Sequence, residues 1–207
     1  MTYYAQWEAD WLLGIQEHLR NDFLTPILKF LSTLADKGAI WAIIAFILFV
    51  IPLAVLFFAE LSDEKRKTFR EIFTVGLMSG IAFVLIVIID FVILKQAVGR
   101  IRPYELIEGL TLLVDPSDDP SFPSAHAASS FAVATVLLFR LPKKFGIPAI
   151  ILAAIISFSR LYVGIHFPTD VIFGAISGFA VGCISIVIGN YLMRKLKAKQ
   201  FPDFLWN

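Results

Sequence analysis

Five long apolar stretches constrain this chain of 207 residues more than any other feature. They run over roughly 38–59, 71–94, 127–141, 147–163 and 169–192. A helix needs about 20 apolar residues to cross the hydrocarbon of a bilayer, with a range of about 17–25. Within each stretch the apolar residues are nearly continuous, not spaced at a period of 2 or 3.6, which is the pattern of segments solvated by lipid. The hydrophobic share is 58%, against about 45–50% in soluble domains. These features predict an all-α integral membrane helical bundle with about five transmembrane helices. The third stretch, "AASSFAVATVLLFRL", is short and is expected to extend outward through Pro123 to His126.

Residues 5–34 read differently. Trp7, Trp11, Leu12, Ile15, Leu19, Phe23, Ile27, Phe30, Leu31 and Leu34 recur at helical spacing among charged residues. That pattern predicts an N-terminal amphipathic helix lying at the interface or on the bundle; as a sixth span it would carry many charges. His18 reads as a solvated residue of its charged face. The expected organisation is an amphipathic segment over 1–37, a membrane domain over 38–199 and a tail over 200–207. The opening "MTYYAQWEADW" has no basic region followed by an apolar one, so no cleavable signal peptide is expected. Trp7, Trp11 and Trp41 read as interface anchors, and Cys183, the single cysteine, as a packing residue. A net charge of +1 argues against a nucleic-acid partner held by bulk electrostatics.

Eleven of the eighteen Lys and Arg residues fall in three places: 65–70, 140–144 and 194–199. Cytoplasmic loops carry such an excess. These places are therefore expected to face the cytoplasm, with the N-terminus outside. Three ionisable stretches then share the outer side: "KQAVGRIRP" from Lys95, "PSAH" from Pro123, and "SRLYVGIHFPTD" from Ser159. Ionisable groups at membrane depth are costly and mark functional cavities. Lys95, Arg102 and Arg160 suit a multiply charged anion, since guanidinium forks match phosphate oxygens. Ser124 and the amides opening the third span add donors at a positive helix end. Together they form an oxyanion clamp suited to phosphoryl transfer.

His166 and Asp170 are four residues apart. With Pro168 opening the fifth helix, Asp170 can reach back to one ring nitrogen, leaving the other as a lone-pair nucleophile. His126 remains as general acid for the leaving oxygen. A metal ion is not expected, because the adjacent cations would repel it. Asp90 reads equally as a neutraliser of a clamp cation or as a buried structural partner. Arg100 reads as an interfacial cation for the substrate or lipid head groups, and Tyr104 as a loop-packing residue.

These three stretches resemble the signature of the type 2 phosphatidic acid phosphatase family: Lys-x6-Arg-Pro, Pro-Ser-Gly-His and Ser-Arg-x5-His-x3-Asp. Vanadium haloperoxidases and acid phosphatases share it. All three parts occur in order, over roughly residues 60–190. The resemblance implies a metal-independent and cofactor-free phosphatase working through a phosphohistidine. By position it implies His166 as nucleophile, Asp170 as its orienter and His126 as the acid. Lys95, Arg102, Ser124, Ala125 and Arg160 would then bind the phosphate. Ala125 stands where the family has glycine.

The expected activity is hydrolysis of a lipid phosphate or diphosphate at the outer face of the plasma membrane. The external site favours undecaprenyl diphosphate, with phosphatidylglycerol phosphate and phosphatidate as alternatives. A non-catalytic lipid-phosphate binder or transporter would not need the His166–Asp170 pair. A vanadate-dependent oxidase would be expected to be soluble.

Overall fold

A computed structural model describes residues 4–206, apart from the side chains of Lys37 and Phe91. Residues 1–3 and Asn207, at the ends of the expected amphipathic segment and tail, lie outside it. Each of the five apolar stretches forms a helix: α3 (Ala39–Phe58), α4 (Asp63–Val87), α7 (Ala125–Arg140), α8 (Lys143–Tyr162) and α9 (Pro168–Ala198). A π-helical segment, Ile88–Leu94, carries α4 into a short helix α5 (Lys95–Val98), and a single turn α6 (Pro103–Leu106) follows. Among the described residues, four helical stretches are long and apolar enough to cross a membrane, beginning at Ala39, Asp63, Lys143 and Pro168.

The remaining helix, α7, has 16 residues. At 1.5 Å rise per residue it is about 24 Å long, short of a bilayer core of about 30 Å. It can be short because other helices enclose it, chiefly α4, α8 and α9. All but a few of its residues are buried. It extends outward only to Ala125, with Ser124 as its N-cap.

The seam between α7 and α9 explains how the site assembles. Gly174, Gly178 and Gly182 recur every four residues on α9 and face the backbone of α7. A Cβ at Gly174 would lie 2.7 Å from the Ser124 carbonyl oxygen, and one at Gly182 would lie 2.7 Å from that of Ala132. A Cβ at Gly178 would collide with the Ala128 carbonyl. Small residues let membrane helices approach backbone to backbone, where dispersion replaces the missing hydrophobic drive. The approach ends in a hydrogen bond from the Ser124 amide to the Asp170 carbonyl, 3.1 Å. The N-termini of α7 and α9 therefore lie side by side.

The N-terminal segment is not one helix. It forms α1 (Gln6–His18) and α2 (Leu24–Leu34). The break lies at Asn21, whose side-chain oxygen accepts from the amides of Phe23 (3.0 Å) and Leu24 (2.8 Å). A short amide side chain that bonds nearby backbone in this way competes with helix continuation. Both helices pack on α8, and α1 also meets α9. Trp7 and Trp11 remain largely exposed, as interface anchors require. Trp41 does not: it is fully buried, and its indole N–H donates to Ser130 on α7 at 2.7 Å. A buried indole needs such a partner, so Trp41 is a core residue. His18 is exposed beside Glu17.

Candidate active site

The helix ends converge on a cavity of about 420 Å³ whose polar lining includes Lys95, Arg102, Asp119, His126, Arg160 and His166. Lys95 comes from α5, His126 from the first turn of α7 and Arg160 from the last turn of α8. His166 lies in the short link before α9, just after Gly164, whose φ of +82° lets the chain reverse. All three cations are almost fully buried.

The histidine pair expected from sequence is present. His166 Nδ1 stands 3.4 Å from Asp170 Oδ2 and has no other polar partner among the described residues. Asp170 is fully buried, and its Oδ2 accepts the Phe167 amide at 2.8 Å. On the far side of the ring, Nε2 faces Arg102 Nη1 at 3.4 Å. Burial, reinforced by the charges of Arg102, Arg160 and Lys95, holds the His166 imidazole well below the ordinary histidine pKa. The ring is therefore neutral at pH 7, with a lone pair available.

His126 lines the same cavity. Its Nε2 lies 3.2 Å from the Ser32 carbonyl and 3.8 Å from Asp36 Oδ1. Arg160 donates to the Ser32 hydroxyl. The end of α2 thus forms one wall of the site, which sequence reasoning did not foresee. Ser124 is buried, and its hydroxyl accepts the Ala127 amide at 3.5 Å as the cap of α7. Ala125 rather than Ser124 lines the cavity. Ala125 is the first helical residue of α7, and Gln200 is the only non-glycine with positive φ among the described residues. Its backbone therefore does not require the glycine of the family pattern.

Asp119, which also lines the cavity, is another residue the sequence did not single out. One of its oxygens lies 2.5 Å from Lys95 Nζ and the other 2.6 Å from Arg102 Nη2. Ser117 donates a further bond at 2.5 Å, and the backbone carbonyls of Asp119 and Pro120 accept from Arg102 and Lys95. Burial opposes its ionisation, but hydrogen bonds from Lys95 and Ser117 and the charge of Arg102 outweigh it, so its pKa is lowered. The only sequence cue was the length of the loop. Nothing in "DPSDDPS" distinguishes Asp119 from Asp115 or Asp118.

Arg100 is not an interfacial cation. It turns inward and donates to Asp170 (2.6 Å) and to Glu8 on α1 (2.7 Å), because a buried carboxylate pair competes better for it than head groups at the surface. The two oxygens of Asp90 are buried and make no hydrogen bond among the described residues. Asp90 lies one π-helical step before Lys95, within electrostatic reach of that cation. Tyr104 exchanges hydrogen bonds of 3.2 Å with the backbone of Ser117, the loop-packing role expected. A second, apolar groove of about 520 Å³ lies between α3 and α4, and Phe83 lines both it and the first cavity.

Residues 72–194 match the model of the PAP2 superfamily. The chain is 34% identical over 120 residues to an undecaprenyl-diphosphatase of Sulfolobus acidocaldarius, covering 58% of each chain. That match spans less than two thirds of the relative's length. It is 28% identical over 169 residues to the undecaprenyl-diphosphatase BcrC of Bacillus subtilis, covering 82% of this chain and 76% of that one. Among solved structures, Aquifex aeolicus LpxE superposes with a TM-score of 0.55 at 24% identity, over 90% of this chain and 98% of that one. The Bacillus subtilis structure described as the first transmembrane PAP2 type phosphatidylglycerolphosphate phosphatase gives 0.59 at 24% identity, over 92% and 86%. The shared fold and the apolar helices identify a multi-pass membrane protein. With the family model covering more than half of its length, the chain belongs to the PAP2 superfamily.

Proposed function

We propose that this protein is a membrane lipid phosphatase that hydrolyses a phosphate ester or anhydride through a phosphohistidine. The observation that carries the reading is His166 itself, with Nδ1 3.4 Å from Asp170 and Nε2 3.4 Å from Arg102 in a cavity that Lys95 and Arg160 also line. His166 Nε2 attacks phosphorus while the bond to the lipid oxygen breaks, and His126 gives that oxygen its proton. Water then attacks the phosphohistidine, His126 takes a proton from the water, and inorganic phosphate leaves. Lys95, Arg102, Arg160 and the α7 amides at Ala125 hold the phosphoryl oxygens, and Ser124 fixes those amides by capping the helix. Such preorganised donors supply most of the stabilisation in phosphoryl transfer.

Two relatives named as undecaprenyl-diphosphatases support a prenyl diphosphate as the preferred substrate. The apolar groove that shares Phe83 with the cavity offers a wall for its tail. The basic residues concentrated at the opposite helix ends support an extracytoplasmic site in the plasma membrane. The test is phosphate release in detergent and chelator from undecaprenyl diphosphate, phosphatidylglycerol phosphate and phosphatidate. Release should be fastest from the diphosphate and abolished in His166→Ala. Turnover by His166→Ala within tenfold of wild type removes the nucleophile assignment. Binding of every lipid without release would indicate a carrier.

A further inference from the structure

We propose that Arg100 and Glu8 are positioning residues for His166, acting through Asp170, so that α1 is part of the reaction machinery rather than a surface attachment. The proposal rests on the phosphatase reading for its kinetic consequence and on the site geometry for its structural one.

Arg100 follows Gly99, whose left-handed φ of +58° ends α5 and turns the chain inward. Its guanidinium lies 4.0 Å from the centre of the Phe167 ring and divides its donors. Nη1 reaches Asp170 Oδ1 at 2.6 Å and the Thr169 hydroxyl at 2.7 Å, and Nη2 reaches Glu8 Oε2 at 2.7 Å. The other oxygen of Glu8 accepts from the Thr169 hydroxyl at 2.6 Å and from its amide at 3.4 Å. Glu8 is 2% exposed and Asp170 is fully buried. The two oxygens of Asp170 therefore have separate duties: Oδ1 is held by Arg100, while Oδ2 takes the Phe167 amide and faces His166.

Docking of α1 has an apolar source besides this ion trio. Ala9, Leu12 and Ile15 already bury an apolar face of α1 in a cluster with Leu161, Val163 and Ile165. Buried ion pairs are also weak evidence of stabilisation, because desolvation offsets their attraction. Charge supplies a better reason. Asp170 paired with Arg100 alone would be neutral as a unit and would hold the His166 Nδ1–H weakly. The Glu8 carboxylate restores one net negative charge to the group of three. The other ionisable groups around the His166 cavity are Lys95 from α5, Arg102, Asp119 from its loop, Arg160 from α8, His126 from α7 and Asp36 just after α2. Cations outnumber anions among them, so the net negative trio is what keeps the proton on Nδ1 and the lone pair on Nε2.

The test uses full-length protein with ¹⁵N-labelled histidine in detergent at neutral pH, where ring shifts report the tautomer without any substrate. Signals are assigned by single substitutions at His18 and His126. Wild type should hold His166 mainly as Nδ1–H. Glu8→Gln should lower the Nδ1–H to Nε2–H ratio at least threefold and leave exposed His18 unmoved. Its kcat should fall about tenfold with KM within twofold. A ratio within 1.5-fold of wild type, with only the melting temperature reduced, would show that the trio merely docks α1 and would overturn the proposal. Should Glu8→Gln not fold, Arg100→Lys decides: it keeps the charge but loses the fork, and must lower kcat at least fivefold at unchanged KM, wild-type kcat overturning the proposal. If wild type releases phosphate from no lipid, the phosphatase reading fails alone, and the tautomer ratio still decides this one.

Discussion

Asp119 places a carboxylate oxygen on each of two clamp cations, 2.5 Å from Lys95 Nζ and 2.6 Å from Arg102 Nη2. A phosphoryl group entering the clamp must displace that carboxylate or share the cations with it. Asp119→Asn keeps the shape and removes the charge. A hydrogen bond to a charged group is worth about 1.5–3 kcal/mol net. The Asp119 side chain is 36% exposed, so solvent screening places the two contacts together near the low end, about 1.5 kcal/mol. That is about tenfold in an equilibrium constant. Asp119→Asn should therefore bind vanadate and inorganic phosphate about tenfold more tightly, measured as competitive inhibition of lipid hydrolysis, with a lower KM for the lipid. Asp118→Asn, an equal charge change on an exposed neighbour, should leave inhibition unchanged. Weaker vanadate inhibition in Asp119→Asn, with a fallen kcat, would refute the reasoning and show that Asp119 aligns the cations instead of competing for them.

Three further outcomes follow from the geometry. His126→Ala should slow an alkyl phosphate at least tenfold more than a nitrophenyl phosphate, since general acid catalysis is worth about 10²–10⁴-fold and nitrophenolate leaves without a proton; equal losses on both would place His126 in the clamp. Because burial and three cations lower the His166 pKa, the neutral, active ring persists as pH falls through the ordinary histidine value of about 6.5. The acid limb of kcat/KM should lie below that value and move lower still in Asp119→Asn, which loses an anion that raises the His166 pKa; a limb above pH 7 would contradict the assignment. Gly178→Ala, whose Cβ would collide with the Ala128 carbonyl, should separate α7 from α9 and lower the melting temperature, while Gly80→Ala, whose Cβ would meet nothing within 4 Å, should not.

The sequence by itself determined the fold class and named most of the residues that the structure gathers at one cavity. Continuous apolar stretches leave a chain few alternatives to membrane helices, because backbone polar groups in lipid must pair within their own segment. His166 and Asp170, four residues apart across a helix-opening proline, could be paired from spacing alone, because that relation is local. Lys95, Arg102 and Arg160 could be grouped because ionisable residues at membrane depth are rarely idle. Tertiary structure decided whatever depends on approach between distant segments. Trp41 looked like an anchor until α7 was placed against it with Ser130 in reach. Arg100 looked interfacial until α1 presented Glu8, 92 residues away in the chain. Asp119 was one of three similar aspartates until the loop carried it to Lys95 and Arg102. The wall formed by Ser32 and Asp36 depends on the break at Asn21 and on the seating of α2 against α8. In the first three cases the deciding interaction is a polar contact a few ångströms long between residues 17 or more apart in the chain, and in the fourth it is the packing of one helix on another; local pattern carries no record of either.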